Sequence, residues 1–164
     1  MFGLPEEDAV TYFEGFSVHY IDVGQGDSAF IRLPDGKNVL IDCANDSEEL
    51  YEIISTFLGD YGVKTLDYFI LTHPDSDHVG NAKAILENFT VGLVYHPHVV
   101  TKMLSYFSSY EKAYAVIEEK NISHKVSNCY DFIKGEGYQL VFLTPYPKSN
   151  INTEPKAPLC HCFR

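Results

Sequence analysis

The sequence predicts a mixed α/β fold with helices packed on a sheet. Three observations carry this. The first 45 residues alternate short apolar runs with tight-turn residues. Strand and helix patterns then follow one another in turn. The composition is globular, with 45% apolar and 21% charged residues, 12 Tyr and 11 Phe in a chain of 164. One ordinary domain fits that length, with a core of useful size.

Each element follows from its pattern. FSVHYIDV (16–23) reads as a strand, and Gly24-Gln25-Gly26-Asp27 breaks it. SAFIRL (28–33) is a second strand. Pro34-Asp35-Gly36-Lys37 is a hairpin turn, because Pro presets φ and Gly takes the positive-φ position. NVLID (38–42) is a third strand, and its run Val39-Leu40-Ile41 suggests burial on both faces. Asp46 or Ser47 caps a helix with acids in its first turn. Leu50, Ile53, Ile54, Phe57 and Leu58 form its apolar stripe, and Gly59 and Gly62 end it. LDYFILT (66–72) is a buried strand, AKAILENF (82–89) a short helix and VGLVYH (91–96) a fifth strand. A longer helix spans 101–120 with Met103, Phe107, Tyr110, Tyr114 and Ile117 on one face. ISHKV (122–126) and YQLVFLT (138–144) are further strands. The last twenty residues hold Pro145, Pro147, Pro155 and Pro158 and have no clear period.

Charge limits the function. The net charge is -11, with 13 acids against Arg32 and Lys37 in residues 1–60 and ten acids against ten bases thereafter. Arg32 and Arg164 are the only arginines, so a broad basic face for nucleic acid is excluded. Clustered carboxylates suit cations instead. No run of about 18 apolar residues occurs, so no membrane segment is expected. MFGLPEEDAV is acidic where a signal peptide is basic, which makes the cytoplasm the expected compartment. Cys43, Cys129, Cys160 and Cys162 include no CxxC pair and are expected as free thiols. Cys160-His161-Cys162 at the chain end lacks partner ligands for a soft metal.

One segment carries chemistry: Thr72-His73-Pro74-Asp75-Ser76-Asp77-His78. His73, Asp75, Asp77 and His78 lie within six residues, directly after a buried strand, where α/β sheets place ligand sites. Imidazole and carboxylate donors together suit Zn²⁺, Mn²⁺ or Fe²⁺. The competing reading is a polar turn in which Asp77 caps a helix starting near Gly80. Asp22 and Asp27 flank Gly24 and Gly26, and Asp42 ends the third strand. Beside the His/Asp loop these read as the rim of one site. His96 and His98 share a face if the chain there is extended, and a ligand role for them competes with a polar loop. His124 and His19 read as structural. Tyr106, Phe107, Tyr110 and Tyr114 read as core with an amphipathic rim, although aromatics of this kind can stack bases.

The segments VHYIDVGQGDSAFIRLPDGKNVLIDCA, LDYFILTHPDSDHVGN and YQLVFLTPYP together resemble the metallo-β-lactamase superfamily. More narrowly, they resemble the soluble hydrolase-like domain of the ComEC competence (DNA-uptake) proteins and its stand-alone relatives. The resemblance implies an αβ/βα sandwich and runs from about residue 16 to about residue 147. The superfamily motif is HxHxDH. His73 matches its first His, Asp75 stands where the second His usually is, and Asp77 and His78 match the last two. The resemblance implies two divalent metal ions, Zn or Mn. His73 and Asp75 would serve one ion and Asp77 and His78 the other, with Asp77 also in a catalytic role. Asp75 in place of His hardens the first site and favours Mn²⁺. Asp42 matches the strand-end acid that supports the loop, with Asp22 and Asp27 beside it. The implied activity is metal-assisted hydrolysis of phosphodiester bonds, DNA among the substrates.

The chain also departs from the family. The later Asp of a GD pair and the final His are not visible after residue 147. The expected organisation is an N-terminal extension (1–15), an incomplete domain (16–147) and an irregular Pro-rich tail (148–164). Half of the facing sheet is expected to be missing, which leaves an apolar face open to homo-oligomerisation. Loss of those ligands would weaken metal binding and could abolish activity. Two other readings therefore stand beside the hydrolase: a non-catalytic metal-binding or interaction module, and an incomplete domain that melts without cooperativity.

Overall fold

The structure is a computed structural model, and it describes residues 15–99 and 105–144. Six strands form the main sheet in sequence order: β1 (Ser17–Tyr20), β2 (Ala29–Arg32), β3 (Asn38–Ile41), β4 (Thr65–Ile70), β5 (Thr90–His96) and β6 (His124–Val126). β1, β2 and β3 pair antiparallel, while β3, β4, β5 and β6 pair parallel. A second, two-stranded sheet joins β7 (Phe132–Gly135) to β8 (Tyr138–Val141).

The switch from antiparallel to parallel follows from the connections. Leu33 and Lys37 close the β2–β3 turn, with Gly36 at φ 80°, as the Pro-Asp-Gly-Lys run requires. Beyond β3 each strand returns through helix: α1 (Glu48–Asp60), then α2 (Ser76–Val79) with α3 (Ala82–Asn88), then α4 (Ser108–Glu119). Parallel strands need such crossovers. As a result the C-terminal ends of β3, β4 and β5 lie along one sheet edge. Asp42, the Thr72–His78 loop and His96 all emerge there.

The central strands are buried on both faces, as the run Val39-Leu40-Ile41 implied. Phe30, Leu40, Leu66, Phe69 and Val94 face the helices, where Ile54, Leu58, Ile85, Leu86 and Ile117 complete one core. Their neighbours Ile31, Val39, Ile70 and Tyr95 face the other way and join Ile133 in a second core. Tyr138, Leu140 and Phe142 pack against it, so the β7–β8 hairpin covers part of the face expected to be bare. Phe132, Val141 and Leu143, and Val18 and Tyr20 of β1, remain exposed. Truncating one fully buried side chain such as Ile54 to Ala would cost about 2–5 kcal/mol.

Several expectations change. β7 was not foreseen; a four-residue strand interrupted by Lys134 leaves too little pattern. In α1, Ile54 and Leu58 are buried but Ile53 points to solvent. Ser47 stands at the N-cap position, yet its side chain makes no capping bond. Gly59 lies inside α1, and Gly62, at φ 68°, makes the exit, with its N–H on Gly59 O at 2.8 Å. The described part of the 101–120 helix begins at Ser108; Met103 lies outside the described residues. The 1–14 and 145–164 segments, with Cys160-His161-Cys162, also lie outside them. Among the described cysteines Cys43 is buried and Cys129 half-buried, both free. Among the described residues no helix is long and apolar enough to cross a membrane.

Candidate metal centre

The loop after β4 begins with Thr72 and turns at once into the single helical turn α2. Asp75 is the N-cap residue of α2, so Asp77 and His78 lie within that turn. Asp77 therefore does not cap a helix starting near Gly80; Asp75 takes the N-cap position instead, without a capping side-chain bond. One turn of helix returns His78 beside His73, and their ring centroids are 3.6 Å apart.

Asp42 organises this pair from below. It is 2% exposed and sits at φ 55°, a left-handed conformation that an Asp tolerates better than most residues. Its Oδ1 accepts the Thr72 N–H at 2.8 Å, and its Oδ2 accepts the Thr72 hydroxyl at 2.6 Å. The same Oδ2 lies 2.8 Å from His78 Nδ1. The Thr72 hydroxyl has spent its only proton on Asp42. Its contact with His73 Nδ1 at 3.0 Å must therefore be donated by the ring. The network thus puts a proton on Nδ1 of both histidines and leaves both Nε2 atoms free.

Each free Nε2 has a carboxylate beside it. His73 Nε2 is 3.8 Å from Asp75 Oδ2, and His78 Nε2 is 3.9 Å from Asp77 Oδ2. Two ligands of one tetrahedral ion at about 2.1 Å stand roughly 3.4 Å apart, so both pairs are close to ligand spacing. Donor atoms of His73, Asp75 and Asp77 fall within 4.8 Å of one another, as do those of Asp42, His73 and His78. The second grouping is better read as a carboxylate that orients an imidazole, because both Asp42 oxygens are already committed to hydrogen bonds.

His78 is pulled in two directions. Burial disfavours its charged form, but the hydrogen bond and charge of Asp42, with the charges of Asp77 and Asp27, outweigh it and raise its pKa. An imidazole that holds a proton against burial sits in a field that also favours a metal cation.

The glycine-rich β1–β2 loop frames the site. A side chain on Gly26 would collide with the Asp77 carbonyl, and Gly26 is at φ 121°. The next N–H, of Asp27, donates to that same Asp77 O at 3.3 Å. The Asp27 carboxylate reaches 3.6 Å from His78 Nδ1. Asp22 differs: its carboxylate accepts the Gly24 N–H at 3.2 Å, and no hydrogen bond or ion pair joins it to the four loop side chains. It shapes the turn rather than the centre.

His96 and His98 do not join the centre. β5 ends at His96, which is buried; His98 is exposed. His96 Nδ1 is 2.8 Å from the Tyr110 hydroxyl, and its Nε2 is 3.0 Å from His124 Nδ1. His19 packs among Phe30, Phe57 and Tyr61.

Two supports escaped the sequence reading. Thr72 carries the tautomer argument above. Asn81 binds Cys43 O, Asn45 O and the Ser47 N–H, and so ties the end of α2 to the strand-end loop. Gly80 presses against Asn45 and Asp46, where any side chain would clash. A single polar residue after a motif gives no sequence signal of such a role.

A strand-end acid, an HxDxDH loop on one helical turn and a mixed sheet with helices on one face define an α/β protein with a candidate metal site. A family model described as the metallo-β-lactamase superfamily matches residues 21–147. The chain belongs to the metallo-β-lactamase superfamily. It is 38% identical to ComE operon protein 3 of Bacillus subtilis (strain 168), over 45% of this chain and 12% of that protein. A crystal structure described as a new diphosphatase from the PhnP family is 17% identical, with a TM-score of 0.43. That match covers 71% of this chain and 43% of the diphosphatase. The chain thus spans less than half the length of either relative.

Proposed function

We propose that this chain is a metal-dependent hydrolase domain that acts on phosphodiester bonds. The observation that carries the reading is the paired geometry of two free Nε2 atoms, each with a carboxylate oxygen at 3.8 or 3.9 Å. The resemblance of the HxDxDH and VGQGDS segments to ComEC-type proteins favours phosphoester over β-lactam chemistry, with DNA among the substrates.

The donor set fits divalent ions. His73 and Asp75 would hold one, and Asp77 and His78 another; mixed nitrogen and oxygen donors suit Zn²⁺ or Mn²⁺. Such ions supply Lewis acidity and make water a stronger acid. The chain's own residues do the rest. Asp42 fixes the His78 ring and Thr72 the His73 ring, so neither reorganises when substrate arrives. Asp77, more exposed than either histidine, is placed to take a proton from the attacking water. The Gly26 backbone holds Asp77 in register through the Asp27 N–H. Asp27 lies at the rim, where substrate would pass.

The test is metal content after loading with Zn²⁺ or Mn²⁺ and desalting, followed by hydrolysis of bis(p-nitrophenyl) phosphate and of DNA. About two ions per chain are expected, with loss of metal and of hydrolysis together in His78→Ala. Metal retained without hydrolysis of either compound would reduce the chain to a metal-binding module. No retained metal would end the reading.

A further inference from the structure

A chain of polar side chains joins α4 to β5 and β6 and takes no part in the metal centre. It begins at the Tyr110 hydroxyl, 2.8 Å from His96 Nδ1. His96 Nε2 is 3.0 Å from His124 Nδ1, and His124 Nε2 is 3.3 Å from the Glu118 carboxylate. Tyr110 and His96 are buried. The side chains of His124 and Glu118 reach solvent, at 32% and 58% exposure. The chain therefore runs from the core to the surface.

Counting protons fixes how these groups bond. A carboxylate only accepts, so Glu118 favours a proton on His124 Nε2. In neutral His124 the other nitrogen, Nδ1, is then a bare acceptor, and His96 must donate to it from Nε2. That leaves His96 Nδ1 bare, and the Tyr110 hydroxyl donates to it. All three contacts point outward, from Tyr110 to Glu118. One more proton on His124 makes its Nδ1 a donor as well. His96 must then accept at Nε2 and carry its own proton on Nδ1. His96 Nδ1–H donates to the Tyr110 oxygen, and the Tyr110 hydroxyl turns to the Pro97 carbonyl. That carbonyl is already in place, 3.2 Å from the Tyr110 oxygen and 3.1 Å from His96 Nδ1. Each state satisfies the ring nitrogens and the hydroxyl. Two complete and opposite bonding patterns, one proton apart, make a two-state element.

The surroundings steer the added proton to His124. Burial lowers the pKa of His96; the Pro97 carbonyl opposes this, and His124 and His98 add to the lowering. Burial pushes the Tyr110 hydroxyl up, so it stays a donor. Tyr114 stacks on Tyr110 and meets His124 edge-on, with centroids 6.2 and 5.6 Å apart. On β6, Lys125 is engaged by Asp131 at 2.8 Å. Among the described residues the titratable groups around His96 are thus Tyr110, Tyr114 and Glu118 of α4, His98 after β5 and His124 of β6.

We propose that Tyr110, His96, His124 and Glu118 form a pH-sensitive latch between α4 and the end of β5: one proton taken up at His124 reverses the hydrogen bonds and moves the Tyr110 hydroxyl from the His96 ring to the Pro97 carbonyl. The balance is one proton gained from solvent. His96 stays neutral and exchanges the proton on Nε2 for one on Nδ1, which a buried ring does in transient openings to water. The latch acts close to the HxDxDH loop. Tyr110 directly follows Tyr106, Phe107, Ser108 and Ser109, which face Pro74, Asp75 and Ser76 across a cleft of about 290 Å³. The proton state of His124 is thus passed to one wall of that cleft.

The test is nitrogen-15 NMR of the imidazole rings in the full chain, from about pH 8 to about pH 5. As His124 gains its proton, His96 Nδ1 should change from bare to protonated and Nε2 from protonated to bare. The two rings should share one midpoint, and His96 should show no imidazolium. The Ser108 and Ser109 amides should shift at that same midpoint. Glu118→Gln should lower it by about 0.3–0.7 unit, the worth of a part-exposed ion pair. His124→Asn should hold His96 in a single tautomer at every pH. Tyr110→Phe should keep the His124 titration and silence the Ser108 and Ser109 response. The latch is overturned by a His96 ring that keeps its tautomer while His124 titrates, becomes imidazolium in the same range, or still inverts in His124→Asn. Amides that do not follow His124, or a midpoint unmoved or raised in Glu118→Gln, would overturn it equally.

Discussion

Asp42 Oδ2 and His78 Nδ1 meet at 2.8 Å, although 36 residues separate them in sequence. One ends β3 and the other lies in the turn after β4, and parallel pairing of those strands brings the two ends together. The carboxylate is buried, carries two bonds from Thr72 and aims the imidazole outward. Asp42→Asn keeps the shape but puts an N–H₂ where two donors already point. Metal affinity should fall about 10–100-fold, the usual effect of losing such a support. Competition with a chelating dye reads this directly. An unchanged affinity would remove Asp42 from the account of the centre.

The same contact sets a pH response in the metal-free chain. The folded pKa of His78 is raised: burial lowers it, and Asp42, Asp77 and Asp27 more than compensate. A raised folded pKa stabilises the fold fully below the unfolded value of about 6.5 and stops doing so as pH rises through the folded pKa. Metal needs the neutral ring, so metal affinity should climb over that window while metal-free stability declines. Urea unfolding and metal titration at matched pH values test both slopes. A metal affinity that falls or a metal-free stability that rises with pH, or the same profile in His78→Gln, would contradict this.

The legible parts of the sequence were those where one residue type has few explanations. Gly36 after Pro-Asp, and the double-sided burial of Val39-Leu40-Ile41, could be read locally. So could the crowding of His73, Asp75, Asp77 and His78 into six residues. Thr72 and Asn81 could not. Their roles depend on partners about 30–36 residues away, such as Asp42 and Asn45, and nothing in a short window encodes that distance. Asp22 and Asp27 looked equivalent in sequence, one on each side of Gly24-Gln25-Gly26. The turn sends Asp27 toward His78 and leaves Asp22 on Gly24. Ile53 failed for a related reason: the apolar stripe of α1 is wider than the surface available to bury it.

The two glycines of that loop should respond differently to substitution. Gly26→Ala forces a side chain into the Asp77 carbonyl at φ 121°, against backbone that cannot move aside without displacing the metal loop. A cost of about 2–4 kcal/mol is expected, from backbone strain plus the collision. Gly24 is at φ 64° with open space around it, so Gly24→Ala should cost only about 1–2 kcal/mol. Chemical denaturation ranks them, and metal affinity should fall only for the first. Equal losses would mean that the approach to Asp77 is not a constraint.

His96 should give the opposite pH signature from His78. It is buried at the end of β5, and Tyr110 on α4 and His124 on β6 contact its two ring nitrogens. His124 in turn faces Glu118 at 3.3 Å. Burial lowers the pKa of His96; the Pro97 carbonyl opposes this, and His124 and His98 add to the lowering. A lowered folded pKa means that the unfolded chain takes up a proton the fold refuses. The stability His96 contributes is therefore full above about pH 6.5 and is lost as pH falls through the folded value. Replacing His96 with Asn removes that penalty along with the contacts to Tyr110 and His124. The gap in unfolding free energy between wild type and His96→Asn should thus be widest near pH 8 and shrink toward pH 5. Tyr110→Phe, which deletes a hydroxyl whose pKa burial pushes up, should cost about 1 kcal/mol at every pH in that range. If the His96→Asn gap stayed constant with pH, the ring would be acting only as packing between α4 and the sheet.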